Sequence, residues 1–183
     1  MGKIIALLGM PGAGKTTAAE IFQKSGYSKI RFGEVTIEEI NKRGLEVNEE
    51  NESEMRETLR LEHGMEAYAK MNEPKIKELS MEGDIVIDGL YSWQEYLYLK
   101  PKFHDIMLVA IYASPKTRYS RLARREERPL TNEEAESRDH AELENLNKAE
   151  PIAMADFTII NEDTIQELQR KIENLARRLG ERK

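Results

Sequence analysis

Two kinds of hydrophobic pattern alternate along the chain. In residues 3–8, 84–88, 106–112 and 157–160 nearly every position is apolar, whereas the stretches between repeat apolar residues every three or four positions. Short continuous apolar runs fit strands buried on both faces, as in a parallel sheet. Residues 28–32 give a further, more polar strand. The intervening periodicity predicts helices over residues 15–25, 37–43, 53–63, 65–79, 93–100, 115–125, 132–148 and 165–179. In the first of these Ala18, Ala19 and Phe22 share one side and Gly26 follows the end. Pro74 is expected to kink or restart the helix that contains it. Strands alternating with helices of this length indicate an α/β fold around a parallel sheet. No repeat and no Pro/Gly/Ser tract divides the chain, so residues 1–183 read as one domain.

Composition narrows the class. A chain of 183 residues, 39% hydrophobic and 34% charged, is long enough for a buried core under a heavily charged surface. Its 28 Lys+Arg against 34 Asp+Glu leave a net charge of −6, which argues against a dedicated nucleic-acid or anionic-membrane binder. With no Cys, disulfides, thiolate metal sites and Cys nucleophiles drop out, as suits a reducing cytoplasm. No apolar run reaches the roughly 20 residues of a membrane span. The apolar run after Met1 is too short for a signal peptide, and Ala6 stands where a myristoylation signal takes Ser or Thr. Charge is distributed unevenly. Residues 34–64 hold ten Glu against four Lys/Arg, while residues 116–128 hold six Lys/Arg against two Glu. The basic cluster follows an apolar strand directly, where ligands of open α/β sheets bind.

The strongest chemical signal is Gly9-Met10-Pro11-Gly12-Ala13-Gly14-Lys15-Thr16, a full G-x-x-x-x-G-K-[ST] motif with a strand before it and a helix after. The glycines let successive backbone N–H groups converge on phosphate oxygens, and the helix start adds its positive end. Gly9, Pro11, Gly12, Ala13, Gly14, Lys15, Thr16 and Thr17 are therefore the candidate nucleotide-binding residues. Lys15 supplies an ammonium for the β- and γ-phosphates and Thr16 a hydroxyl for Mg²⁺. Asp88 ends the apolar run Ile85-Val86-Ile87, where a carboxylate can hold the Mg²⁺ shell; the plainer reading is an Asp that opens a turn.

Arg121 and Arg125 lie four residues apart on one helical face, extended one turn earlier by Arg118. Arg128 falls in the break Arg128-Pro129-Leu130, and Arg138 lies on the polar helix that follows. Two helices joined there and facing the phosphates would form a lid, residues 126–148, whose guanidinium groups stabilise transferring charge. Glu34, after the second strand in Phe32-Gly33-Glu34, either orients or deprotonates an acceptor hydroxyl or is a solvated acid. Arg56 and Arg60 either clamp an acceptor anion or pair with Glu52 and Glu57. His63, His104 and His140 show no ligand spacing.

With these motifs the chain resembles a small P-loop nucleotide kinase, of the superfamily that contains adenylate kinase and dephospho-CoA kinase. It is most similar to an archaeal group of adenylate-kinase-related, nucleotide-kinase-like proteins. The resemblance runs from residues 9–16 through Phe32-Gly33-Glu34, Leu59-Arg60-Leu61-Glu62-His63-Gly64, Ile87-Asp88-Gly89, the segment Ala113-Ser114-Pro115-Lys116-Thr117-Arg118, residues 121–125 and Arg138-Asp139. The ending Ala155-Asp156 and Asn161, with Leu168 beyond, is also similar to dephospho-CoA kinase. The resemblance implies the P-loop NTP hydrolase fold, a three-layer α/β/α sandwich with five parallel strands in order 2-3-1-4-5. It also implies an acceptor-binding helical insert at residues 33–80, ATP and Mg²⁺ as cofactors, and a small nucleotide-type acceptor. A nucleoside or deoxynucleoside monophosphate and dephospho-CoA are the candidate acceptors. Two positions depart from the pattern. Ile37 and the run Leu90-Tyr91-Ser92 stand where such kinases place arginines that grip the acceptor phosphate; Arg31, Arg56 and Arg60 are the candidates to compensate. The expected activity is Mg-ATP-dependent phosphoryl transfer by Lys15, Asp88, Arg121, Arg125 and Arg138 in a cytoplasmic monomer or homodimer. No nucleic-acid or membrane partner is expected. A regulatory NTPase acting through a protein partner is the alternative, and a polynucleotide end kinase a third class that the negative charge disfavours.

Overall fold

The structure, a computed structural model, describes residues 1–126 and 129–181. Five strands, β1 (Ile4–Leu8), β2 (Ser28–Arg31), β3 (Ile85–Asp88), β4 (Ile106–Tyr112) and β5 (Phe157–Ile160), form one sheet in the order β2-β3-β1-β4-β5. Every pairing is parallel, with Leu7 beside Asp88 and Leu8 beside Ala110. The inner strands are continuous apolar runs: every residue of β1 and β3 is buried. The polar β2, with Lys29 and Arg31, takes one edge; β5 takes the other, and its apolar run, expected to be buried on both faces, buries only Ile159 fully.

Strand alternation divides the core in two. Ile4, Ala6, Leu8, Ile85, Ile87, Ile106 and Leu108 face one layer of helices; Ile5, Leu7, Val86, Val109 and Ile111 face the other. On the first side lie α2 (Glu34–Lys42), α3 (Glu49–His63), α4 (Ala67–Glu82) and α5 (Trp93–Leu99), which contribute Val35, Ile40, Met55, Leu59, Tyr68, Ile76 and Leu99. On the second side α1 (Lys15–Lys24) supplies Ala18, Ala19 and Phe22. There α9 (Ile165–Gly180) supplies Leu168, Ile172, Leu175 and Leu179, spaced as one helical stripe. The remaining helices, α6 (Pro115–Ala123), α7 (Asn132–Leu146) and α8 (Ala149–Ala153), come between β4 and β5. This is the three-layer α/β/α sandwich with strand order 2-3-1-4-5 that the family resemblance implied.

Helix ends depart from the periodicity where caps decide them. α3 begins four residues earlier than expected because the Asn48 side chain accepts the Asn51 N–H (2.9 Å). α4 runs through Pro74 without restarting. The helix expected over residues 132–148 divides: Asn147 turns left-handed (φ 47°), α7 ends at Leu146, and Lys148 is turned into the protein. Chain direction across the sheet reverses at β1, with β3 on one side and β4 on the other, so the carboxyl end of β1 is the switch point at which open α/β sheets bind ligands.

Candidate nucleotide-binding site

The Gly-rich turn after β1 is seated against three neighbours that leave no room for side chains. Gly9 (φ 139°) and Gly14 (φ 100°) both occupy the left-handed side of backbone space. A Cβ on Gly9 would lie 2.3 Å from the Ile111 carbonyl oxygen of β4, and one on Gly14 would lie 2.4 Å from Asn161 Nδ2, just past β5. Asn161 is buried, and its Nδ2 donates to the Ala13 carbonyl (2.8 Å), tying the turn to the end of β5. Arg118, buried on α6, donates Nη1 to the Pro11 carbonyl (3.1 Å) and Nε to the Ala113 carbonyl (3.1 Å). The same guanidinium grips Asp139 of α7 in bidentate fashion, at 2.8 and 2.5 Å, and Tyr119 donates to that carboxylate as well (3.0 Å). Arg118, read from sequence as an extension of a phosphate-facing row, is thus committed to holding α6, α7 and the turn together.

Lys15 folds back on the turn, its Nζ donating to the carbonyls of Gly9 (2.8 Å) and Met10 (3.2 Å). Burial, and next the ammonium of Lys148, push its pKa from 10.5 down to about 7, against the pull of Glu142 and Asp88; Arg138 also lowers it. Asp88, Arg138, Glu142 and Lys148 therefore all stand within electrostatic reach of the P-loop lysine. Arg138 pairs with Glu142 (Nε to Oε1, 3.5 Å), and Glu142 in turn pairs tightly with Lys148. Burial alone would raise the Glu142 pKa, but Lys148 and Lys15 outweigh it and hold the carboxyl below its ordinary value. Lys148 is 1% exposed, with its ammonium 5.7 Å from the centre of the Tyr91 ring. Sequence reading missed Glu142 and Lys148, because periodicity assigns both to an uninterrupted polar helix; the signal present was Asn147, a residue that tolerates the left-handed cap.

The other expected residues fall into three groups. Thr16 is exposed at the start of α1, Thr17 is half-buried beside it, and Asp88 is 4% exposed at the end of β3. Arg121 is half-buried, with Nη1 enclosed and without a hydrogen-bond partner, and its charge helps to lower the pKa of Glu162. Arg125 is exposed; partial burial of its guanidinium and the nearby Arg138 lower its pKa. Glu34 and Arg56 are engaged elsewhere: Glu34 is exposed and pairs with Lys75 (3.2 Å), and Arg56 pairs with Glu49 (3.0 Å) and Glu52 (3.5 Å). Arg60, by contrast, lies over the Tyr68 ring (5.2 Å). Arg128 lies outside the described residues.

Magnesium suits the donors present. Among the described residues no cluster of three or more His, Cys, Asp or Glu is arranged to hold a metal. Mg²⁺ bound with a nucleotide needs only one or two protein oxygens, the rest coming from water and phosphate. Thr16 and Asp88 carry side-chain oxygens of the kind such a site takes. No helix of the described residues is long and apolar enough to cross a membrane.

Comparison with known proteins agrees with this geometry. The AAA domain family model (AAA_18) matches residues 5–141. A UPF0200 protein of Thermococcus sibiricus is 36% identical over 98% of this chain and 97% of its own length. Among solved structures, a shikimate kinase from Bacteroides thetaiotaomicron shares the fold with a TM-score of 0.65 and 16% identity, over 96% of this chain and 98% of the other. A dephospho-CoA kinase from Campylobacter jejuni does so with a TM-score of 0.57 and 14% identity, over 97% of each chain. Matched almost end to end by a relative and carrying the Gly-rich turn at the switch point of the sheet, the chain belongs to the UPF0200 family and carries the AAA domain of the family model.

Proposed function

We propose that the protein is an ATP-dependent kinase that moves the γ-phosphoryl group onto a small-molecule acceptor. The observation that carries this reading is the company Lys15 keeps. One lysine at a Gly-rich turn has Asp88 on one side and, on the other, a cation cluster from the segment between β4 and β5. Backbone N–H groups of residues 9–16 and the Lys15 ammonium bind the donor phosphates. To do so Lys15 leaves the carbonyls of Gly9 and Met10 and regains its proton. Thr16 and Asp88 hold Mg²⁺, which neutralises charge on the donor phosphates when bound. Arg138, in the lid expected at residues 126–148, closes with Arg121 and Arg125 over the transferring group and excludes water. The acceptor oxygen forms a bond to the γ-phosphorus as the bond to the β-phosphate oxygen breaks. The electron pair leaves with ADP, and the hydroxyl proton passes to an oxygen of the transferred phosphoryl group. The kinase names carried by the fold neighbours support a small-molecule acceptor, and residues 33–80 supply the segment against which it binds.

ADP release with Mg-ATP, measured against nucleoside and deoxynucleoside monophosphates, dephospho-CoA, small hydroxy acids and no acceptor, tests the reading, with products weighed by mass spectrometry. A product heavier by one phosphoryl group is expected with one acceptor, and Lys15→Ala should abolish its formation while leaving the fold intact. An unaltered rate in that variant would sink the mechanism. Slow hydrolysis indifferent to every acceptor and stimulated by a protein would favour the regulatory NTPase, the reading that the absent arginines at Ile37 and Tyr91 support.

A further inference from the structure

Beyond Asp88, the first layer of helices encloses polar groups that the fold leaves incompletely paired. Glu95 of α5 is 0% exposed. Its Oε2 accepts the N–H groups of Tyr91 (2.6 Å) and Ser92 (3.2 Å), but its Oε1 is buried with no partner. Arg60 of α3 has a buried Nε with no partner, its guanidinium resting on Tyr68. Tyr68 and Tyr91 meet edge to face, with centroids 5.7 Å apart, and Lys148 lies over the other ring. Arg60 and Lys148 both lower the pKa of Glu95, so the three charged groups share one enclosure. A buried acceptor and a buried donor left unpaired are each costly. Two from different helices, gathered beside the Lys15 cluster, mark a place built for something else.

We infer that Arg60, Tyr68, Tyr91, Glu95 and Lys148 form the acceptor subsite of the kinase proposed above, and that the acceptor is a small hydroxy acid. Its carboxylate takes the Arg60 Nε–H and the field of Lys148, and a hydroxyl adjacent to it donates to Glu95 Oε1. The inference rests on the kinase reading. Charge selects the carboxylate over a phosphate ester. Arg60, Lys148 and, at Tyr91, Arg31 are balanced by Glu95, Glu142 and Asp88, so the enclosure is close to neutral and suits a single negative charge better than a phosphate dianion. Aromatic walls suit a compact carbon skeleton, and Tyr91 stands in the run where related kinases place a phosphate-gripping arginine.

The test uses the full chain and two readouts. Thermal melting is followed with Mg-ADP alone and then with added shikimate or gluconate as hydroxy-acid probes, with AMP or CMP as phosphate esters, and with glycerol or ribose as neutral polyols. ADP release from Mg-ATP is measured in the same mixtures. A hydroxy acid is expected to raise the melting temperature further and to accelerate ADP release. Glu95→Gln, which keeps an oxygen for the Tyr91 and Ser92 N–H groups, and Arg60→Met should each raise its KM at least tenfold without changing the KM for ATP. Both variants should melt no lower than the parent without ligand, because Glu95→Gln removes a buried charge and Arg60→Met an unpaired buried N–H. Should Glu95→Gln fail to fold, Arg60→Met alone decides. Acceleration by phosphate esters or polyols alone overturns the inference, as does a hydroxy-acid response that both variants leave untouched, or no response from any class while Mg-ADP still stabilises the protein. Absence of any Mg-ADP effect overturns the kinase reading, and the inference with it.

Discussion

At the scale of single residues the site holds two groups displaced from their ordinary charge states in opposite senses. Lys15 titrates at about 7 rather than 10.5, and Glu95 at about 7 rather than 4.5; burial is the first cause for both. The unfolded chain therefore binds more protons at Lys15 between pH 7 and 10.5, so this residue adds stability as pH rises through that window. At Glu95 the folded chain binds more protons between pH 4.5 and 7, so stability falls as pH rises there. Together they should place a dip near pH 7 in the stability of the ligand-free protein, with upper bounds on the order of 5 kcal/mol from Lys15 and 3 kcal/mol from Glu95. Urea titrations from pH 5 to 9 would show it. Glu95→Gln should flatten the acidic limb and Lys15→Met the alkaline one, and a level profile in the parent would contradict both displacements.

Lys148 acts on the same lysine from across the site. Replacing it by Met removes the like charge that, after burial, most lowers the Lys15 pKa, and frees Glu142 to attract the Lys15 ammonium. Both changes have one sign, so Lys148→Met should raise the Lys15 pKa above 7, as followed by NMR titration of the lysine side chains. Nucleotide binding by the parent at pH 8 should draw close to one proton from solution as Lys15 recharges. Calorimetry in buffers of different ionisation enthalpy measures that uptake, and zero uptake would mean that Lys15 is already charged.

Among the elements, caps and one buried ion pair decide what lies next to what. Asn48→Ala should remove the N-cap of α3 and destabilise the protein by about 1 kcal/mol. Gly14→Ala should be far worse, since it combines a left-handed backbone with a Cβ 2.4 Å from Asn161 Nδ2 and disturbs the turn that binds phosphate. The Arg118–Asp139 pair joins α6, α7 and the Pro11 carbonyl across 107 residues of chain. Removing one partner of such a pair leaves a buried charge alone, which typically costs 3–5 kcal/mol. Arg118→Leu should thus lower the melting temperature by roughly 10 °C in a domain of this size, and loosen the segment that carries Arg138 and Glu142. Nucleotide affinity in that variant should fall with stability, and unchanged melting would show the pair to be dispensable.

For the whole molecule, the order β2-β3-β1-β4-β5 gathers the site from distant parts of the chain. The carboxyl ends of the strands bring the turn after β1, Asp88 of β3, Arg118 after β4 and Asn161 after β5 to one edge. Much of this was legible from residues alone. The G-x-x-x-x-G-K-T spacing is a local requirement of phosphate binding, so it announces its own role. The inner strands were readable because burial on both faces demands uninterrupted apolar residues, and Asp88 because it ends such a run. Lys148 and Glu142 were not, since each sits in a polar stretch whose pattern is satisfied equally well by exposure to water. Glu95 was not, since Ser92 and Glu95 read as the capping box of an ordinary helix start. Arg56 and Arg60 looked equivalent, one turn apart, yet packing sends one to Glu49 and Glu52 and the other onto Tyr68.

The sequence by itself determined the fold class, the strands, the nucleotide turn and its lysine, because periodicity and the left-handed glycines act over a few residues. Only the tertiary structure decided which charges lose their water. That depends on where Asn147 ends a helix, on which arginine reaches a buried carboxylate, and on how five strands order themselves. Desolvation, which sets the charge states of Lys15 and Glu95, is a property of the assembled surroundings and is carried by no local pattern.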